Sequence, residues 1–176
     1  MQFFLILFTI LAFVFTLIAV HEAGHYLAGL TAGIPASVMK IRLFTFPQHV
    51  ALRDGDSWIS PVANIEQYIT VSRRYLSTRA AAFRWVAGGM VMGTIFNTLV
   101  YMTAFLLGWT FLAFWIAVIS LAMYLVNVLL MDLPWALLRG HPCGDTSGMW
   151  MIAKLPTTLL AILMVVLDIF MIWLAS

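Results

Sequence analysis

Four long apolar runs set the pattern of the chain: Phe3 to about Gly33, Trp85 to Leu107, Thr110 to Met131, and Leu155 to Ala175. The hydrocarbon core of a bilayer is crossed by about 20 apolar residues of helix. The pattern therefore predicts an all-α membrane protein with four transmembrane helices. Trp85, Trp109, Trp135, Trp150 and Trp173 fall at or near the ends of these runs, where an indole can bury its ring and keep its N–H wet. Between the first two runs lies the one extended polar region, residues 35–80. Its first part alternates, with Val38, Lys40 and Arg42 set against Met39, Ile41 and Leu43, before the turn-forming Asp54, Gly55 and Asp56. That alternation predicts a small β-hairpin. From Glu66 to Arg84, Ile69, Val71, Tyr75 and Leu76 are interleaved with four arginines, as in an amphipathic helix lying at the membrane surface. No repeat or low-complexity tract interrupts the chain, and residues 1–176 are expected to form a single integral-membrane domain.

Composition agrees with this reading. Hydrophobic residues make up 64% of the chain and charged residues 9%, with a mean hydropathy of +1.03. So little polar surface cannot coat a soluble globule. The first run has no basic start and is too long for the apolar part of a secretory signal, so it is expected to be retained. The net charge is only +2, which argues against nucleic acid as a partner. Charge placement is more informative. Lys40, Arg42, Arg53, Arg73, Arg74, Arg79 and Arg84 lie between the first and second runs, and Arg139 and Lys154 between the third and fourth. All fall on one side of a four-helix topology, and the positive-inside rule makes that side cytoplasmic. Cys143 is the single cysteine, so no internal disulfide can form.

The chemistry concentrates in the first run, at His21-Glu22-Ala23-Gly24-His25. Residues four apart share one helical face, so both imidazoles can reach one zinc ion while Glu22 faces its water. This His-Glu-x-x-His spacing is what zinc-activated hydrolysis needs. Two histidines and a glutamate in an apolar helix are costly in lipid and require a compensating site, a metal or a polar cavity. A catalytic zinc also needs a third protein ligand. Asp132, His141, Cys143 and Asp145 can return to the cytoplasmic half of the first helix, and each has competent chemistry.

From about Leu11 to Trp150 the chain resembles the site-2 protease family of intramembrane zinc metallopeptidases. The paired-histidine motif within a span carries most of the likeness. Ala87-Gly88-Gly89 followed by Asn97 is similar to that family's glycine-rich second core helix, with Met90 where proline is usual; Gly89 and Gly93 would equally serve close helix packing. The stretch from Asn127 through Pro134 to Gly144-Asp145-Thr146-Ser147-Gly148 resembles the family's Asn, Pro and Asp-Gly region. The resemblance implies Asp145 as third ligand. Thr146 stands where the family has glycine and the interval from Asn127 is longer, so Asp132 stays open as the rival ligand.

The resemblance further implies one Zn2+ ion and a metalloendopeptidase that cuts single-pass membrane proteins, as in regulated intramembrane proteolysis; a prokaryotic cell membrane is the expected location. Asn97 and Asn127 are candidates to bind substrate backbone or steady an oxyanion, with interhelical hydrogen bonding as the alternative. Asp168, deep in the fourth run, is expected to be protonated or paired. His49 is expected to be structural or exposed. Two other functions fit the same residues: a membrane zincin that processes exposed tails or lipidated peptides, and a zinc-binding transporter or scaffold without catalysis.

Overall fold

A computed structural model describes residues 2–176. Four helices, Phe4–Ala32, Arg79–Leu106, Thr110–Arg139 and Lys154–Ala175, are long and apolar enough to cross a membrane. Large apolar side chains such as Phe8, Leu11, Leu163 and Val166 are exposed along them, a surface that hydrocarbon solvates and water does not. The elements are α1 (Gln2–Ala32), β1 (Met39–Arg42), β2 (His49–Asp54), β3 (Ser57–Ile59), α2 (Ile65–Arg73), α3 (Arg79–Leu106), α4 (Thr110–Val126), a π-helical turn (Asn127–Asp132), α5 (Leu133–Arg139), α6 (Asp145–Ile152) and α7 (Lys154–Ala175). They group into two compact units, one ending at Gly93 and the other running Thr94–Ser176.

In the first unit the polar region folds as an antiparallel sheet of order β1-β2-β3. The predicted hairpin is thus one strand short. Ser57–Ile59 pairs back on β2 (Leu52 with Ile59, Asp54 with Ser57), and three residues are too few to show alternation. Gly55, at φ +60°, supplies the positive φ that a two-residue hairpin turn needs. Val50, Ala51 and Leu52 of β2 are all buried, as the central strand of a covered sheet should be. Val50 and Leu52 join Ile34, Met39, Val71 and Trp85 in one apolar core, flanked by Tyr26, Tyr68 and Tyr75.

Polar contacts fix α2 against the sheet. The Tyr68 hydroxyl donates to the Val50 carbonyl at 2.7 Å, and Arg74 Nη1 meets Asp54 Oδ1 at 2.6 Å. Asn64 Oδ1 caps α2 by accepting from Gln67 N at 3.0 Å. The amphipathic helix expected over 66–84 is broken. Thr78 Oγ1 accepts from Ala81 N at 3.1 Å and caps a new helix there, so Arg79 and Arg84 belong to the second spanning helix. Trp85 therefore is not a terminal anchor: it lies a turn and a half inside α3, 5% exposed.

In the second unit α4 packs on α7, and Ala113 and Ala117 of α4 are fully buried. Tyr101 donates to the Met171 carbonyl at 2.6 Å. Ser120 Oγ donates to Asp168 Oδ2 at 3.2 Å, so the intramembrane acid Asp168 is hydrogen-bonded. Gly108, at φ +77°, turns α3 into α4. The third run does not stop at Met131. Pro134 lacks an N–H and would clash with the preceding turn of an α-helix; the π-helical turn just before it widens the backbone, and the helix continues to Arg139. Arg139 lies 4.9 Å over the Trp135 ring and Lys154 5.9 Å over Trp150, cation–aromatic pairs suited to a headgroup layer.

Candidate metal centre

His21 and His25, one turn apart on α1, bring their Nε2 atoms to 3.1 Å from each other, the rings nearly perpendicular at 81°. Two imidazole nitrogens bound tetrahedrally to one zinc at about 2.0–2.1 Å would stand about 3.3 Å apart, so the donor pair fits such an ion. His25 Nδ1 lies 3.1 Å from the Trp85 carbonyl. A carbonyl only accepts, so Nδ1 carries the proton and Nε2 presents its lone pair. That lone pair faces His21 Nε2, which can meet it as a proton donor or share a cation with it. Glu22, next along the helix, is 6% exposed.

Glycine makes this approach possible. A Cβ on Gly24 would strike the Gly88 carbonyl and stand 2.6 Å from Met92 Cβ; one on Gly88 would strike Ala28 Cβ and stand 2.7 Å from the Gly24 carbonyl. At this crossing the backbones of α1 and α3 touch, as small residues allow. Gly89 has a different reason. A Cβ there would collide with His25 Nε2 and lie 2.7 Å from His21 Nε2, the two atoms that would bind metal. At Gly93 the nearest atom, His21 Nδ1, is 4.0 Å away, an ordinary contact. One turn of α3 thus receives the histidines: Trp85 orients a ring through its carbonyl, and Gly89 leaves room for both. Arg84 Nη2, donating to the Thr31 carbonyl at 3.0 Å, ties the same region of α3 to the last turn of α1, where a cation is favoured.

The remaining candidates lie in the second unit. Asp145 is the first residue of α6 and is half-buried. Asp132, 1% exposed, ends the π-helical turn, and its Oδ2 accepts from Ser147 N at 2.9 Å. His141 Nδ1 is 3.1 Å from the Pro142 carbonyl, and the exposed Cys143 points its Sγ at the His141 carbonyl, 3.5 Å away. Asn97 is buried in α3, and its Oδ1 has no hydrogen-bond partner among the described residues. Asn127 is exposed at the start of the π-helical turn. His49, in the first unit, is half-buried and its Nδ1 donates to the Pro47 carbonyl at 2.9 Å.

Sequence reasoning missed two features of these regions. The Trp85 contact uses a backbone carbonyl 60 residues from its histidine, which no side-chain pattern reveals. The Asp132–Ser147 bond was missed although Gly144, a helix start with no capping side chain, marks the need for an acceptor from elsewhere. Compared with protein-family models, curated proteins and solved structures, the chain matches none.

Proposed function

We propose that this protein is an intramembrane zinc metalloprotease. The observation that carries the reading is the 3.1 Å approach of His21 Nε2 and His25 Nε2 beside a buried carboxylate, Glu22, in a helix apolar enough to cross a bilayer. His21 and His25 would hold one Zn2+ ion, with Asp145 as third ligand. A zinc ion so held supplies a Lewis acid and lowers the pKa of water toward about 7. Glu22 takes the proton of the attacking water and returns it to the leaving amine as the peptide bond breaks.

The position of His21, Glu22 and His25 in an apolar helix supports a membrane-protein substrate. A transmembrane helix hides its amides in its own hydrogen bonds, so a scissile segment must first become extended. β1 and β3 are the edge strands of the sheet and offer backbone partners to such a segment. Membrane proteins with a single span, which can enter sideways from lipid, fit best. The positive-inside rule, applied to the basic loops, supports a cytoplasmic position for the proposed catalytic residues.

The test uses purified full-length protein in lipid nanodiscs. Wild type should contain one zinc and cleave a single-span reporter; Glu22→Gln should keep the zinc and lose at least about 10²-fold in cleavage, the usual contribution of a general base. Retained cleavage would remove Glu22 from this role. Zinc bound without cleavage by the wild type would favour a transporter or scaffold, and cleavage confined to exposed tails or lipidated peptides would favour a tail-processing zincin.

A further inference from the structure

The start of α6 lacks something a helix needs. Its N-cap residue is Gly144, which has no side chain to accept from the unpaired amides of the first turn. Gly144 is extended, at φ −161° and ψ −171°, a conformation any residue adopts, so backbone freedom does not explain the glycine. Space does. A Cβ at Gly144 would lie 2.9 Å from both Cγ and Oδ2 of Asp132. The carboxylate occupies the volume that a local capping side chain would fill, and Oδ2 accepts from the amide of Ser147, the third residue of the helix, at 2.9 Å. This is the N-cap bond, made by a residue 15 positions earlier in the chain. Ser147 returns the connection: its hydroxyl accepts from Cys143 N at 3.0 Å and donates to the Gly144 carbonyl at 3.1 Å, closing the turn that carries Asp145.

The π-helical turn brings the carboxylate there. Leu129, Leu130 and Met131 of that turn are exposed, whereas Asp132 at its end is 1% exposed. A widened turn of this kind re-aims the residues that follow it, and such turns are frequent at functional sites.

We infer that Asp132 is a positioning residue: it caps α6 in place of the missing side chain at Gly144 and thereby fixes the orientation of Asp145. The inference rests on the zinc reading for its functional consequence and on the hydrogen bond for its structural one. It also assigns separate duties to the two aspartates that compete for third ligand. Oδ1 of Asp132 has no hydrogen-bond partner among the described residues, so an amide nitrogen can replace it without breaking a bond. Asn and Asp cap helices about equally well, but an amide is a poor substitute for a carboxylate on zinc.

Zinc affinity by chelator competition and amide exchange at Ser147 should be measured on full-length wild type, Asp132→Asn, Asp132→Ala and Asp145→Ala in nanodiscs. Asp132→Asn should keep slow Ser147 exchange and near-native zinc affinity. Asp132→Ala should speed that exchange and weaken zinc about 10–100-fold, as for residues that orient metal ligands. Asp145→Ala should lose zinc and leave Ser147 protected. Loss of zinc in Asp132→Asn as complete as in Asp145→Ala would make Asp132 a ligand and overturn the inference. So would unchanged Ser147 exchange in Asp132→Ala. A wild type without zinc would sink the hydrolase reading separately, because the exchange measurement still decides whether Asp132 caps α6.

Discussion

At Gly89 a single hydrogen atom separates a workable pair of histidines from a blocked one. A methyl group there meets both Nε2 atoms, and the rings can yield only by shifting by most of an ångström, a displacement that can reduce a catalysed rate about 10²-fold. Gly89→Ala should therefore lose about two orders of magnitude in cleavage and bind zinc weakly. Gly93→Ala, one turn away on the same helix, should bind zinc as the wild type does. Its new methyl finds an ordinary contact, and alanine in a helix interior is favoured over glycine by about 0.5–1 kcal/mol. Zinc content and reporter cleavage of the two variants side by side make the comparison. The sequence shows the paired histidines, because i,i+4 spacing is a property of one helix. It does not show that Gly89 serves the rings while Gly88 serves the backbone contact with Gly24, since that distinction arises only when α1 and α3 are packed.

Among elements, α2 and the sheet are joined by a contact that titrates. Arg74, and then Gln67, hold the Asp54 carboxyl below its ordinary value of 3.8. A depressed carboxyl adds stability that is fully present above the unfolded pKa and is lost as pH falls through the folded one. The docking of α2 should thus be constant from neutral pH down to about pH 4–5, then weaken as pH falls through the lowered folded pKa. Hydrogen-exchange protection of residues 65–73, followed down the acid range, should show that loss in wild type and a flatter profile in Asp54→Asn. The elements themselves were unevenly legible. Twenty-residue apolar runs announce spanning helices, but Thr78, a lone hydroxyl in a basic stretch, gives little warning that one amphipathic segment is two helices. The chain after Met131 misleads for a related reason: Pro134 reads as a stop, and only the wider π-helical turn lets the helix pass it.

On the scale of the whole molecule, the distribution of Lys and Arg makes a prediction that one residue can test. Cys143, the single cysteine, is exposed and lies between Arg139 and Lys154, in a connection that the positive-inside rule assigns to the cytoplasm. A membrane-impermeant maleimide should label it in inside-out vesicles and leave it unlabelled in right-side-out ones. The reverse pattern would invert the topology and move the proposed catalytic face to the opposite side. Membrane embedding was legible because composition alone excludes a water-coated globule. Which aspartate would complete a metal site was not, because Asp132 and Asp145 have the same chemistry and differ in what surrounds them.

The contact between Gly24 and Gly88 has a wider meaning for how the histidines are held. Where main chain rests on main chain, no rotamer can swing aside to loosen the joint, so the helix crossing beneath the two rings is rigid in its own right. If a cation binds as proposed, it meets two nitrogens that the scaffold has already brought together, and little of its binding energy goes into assembling them.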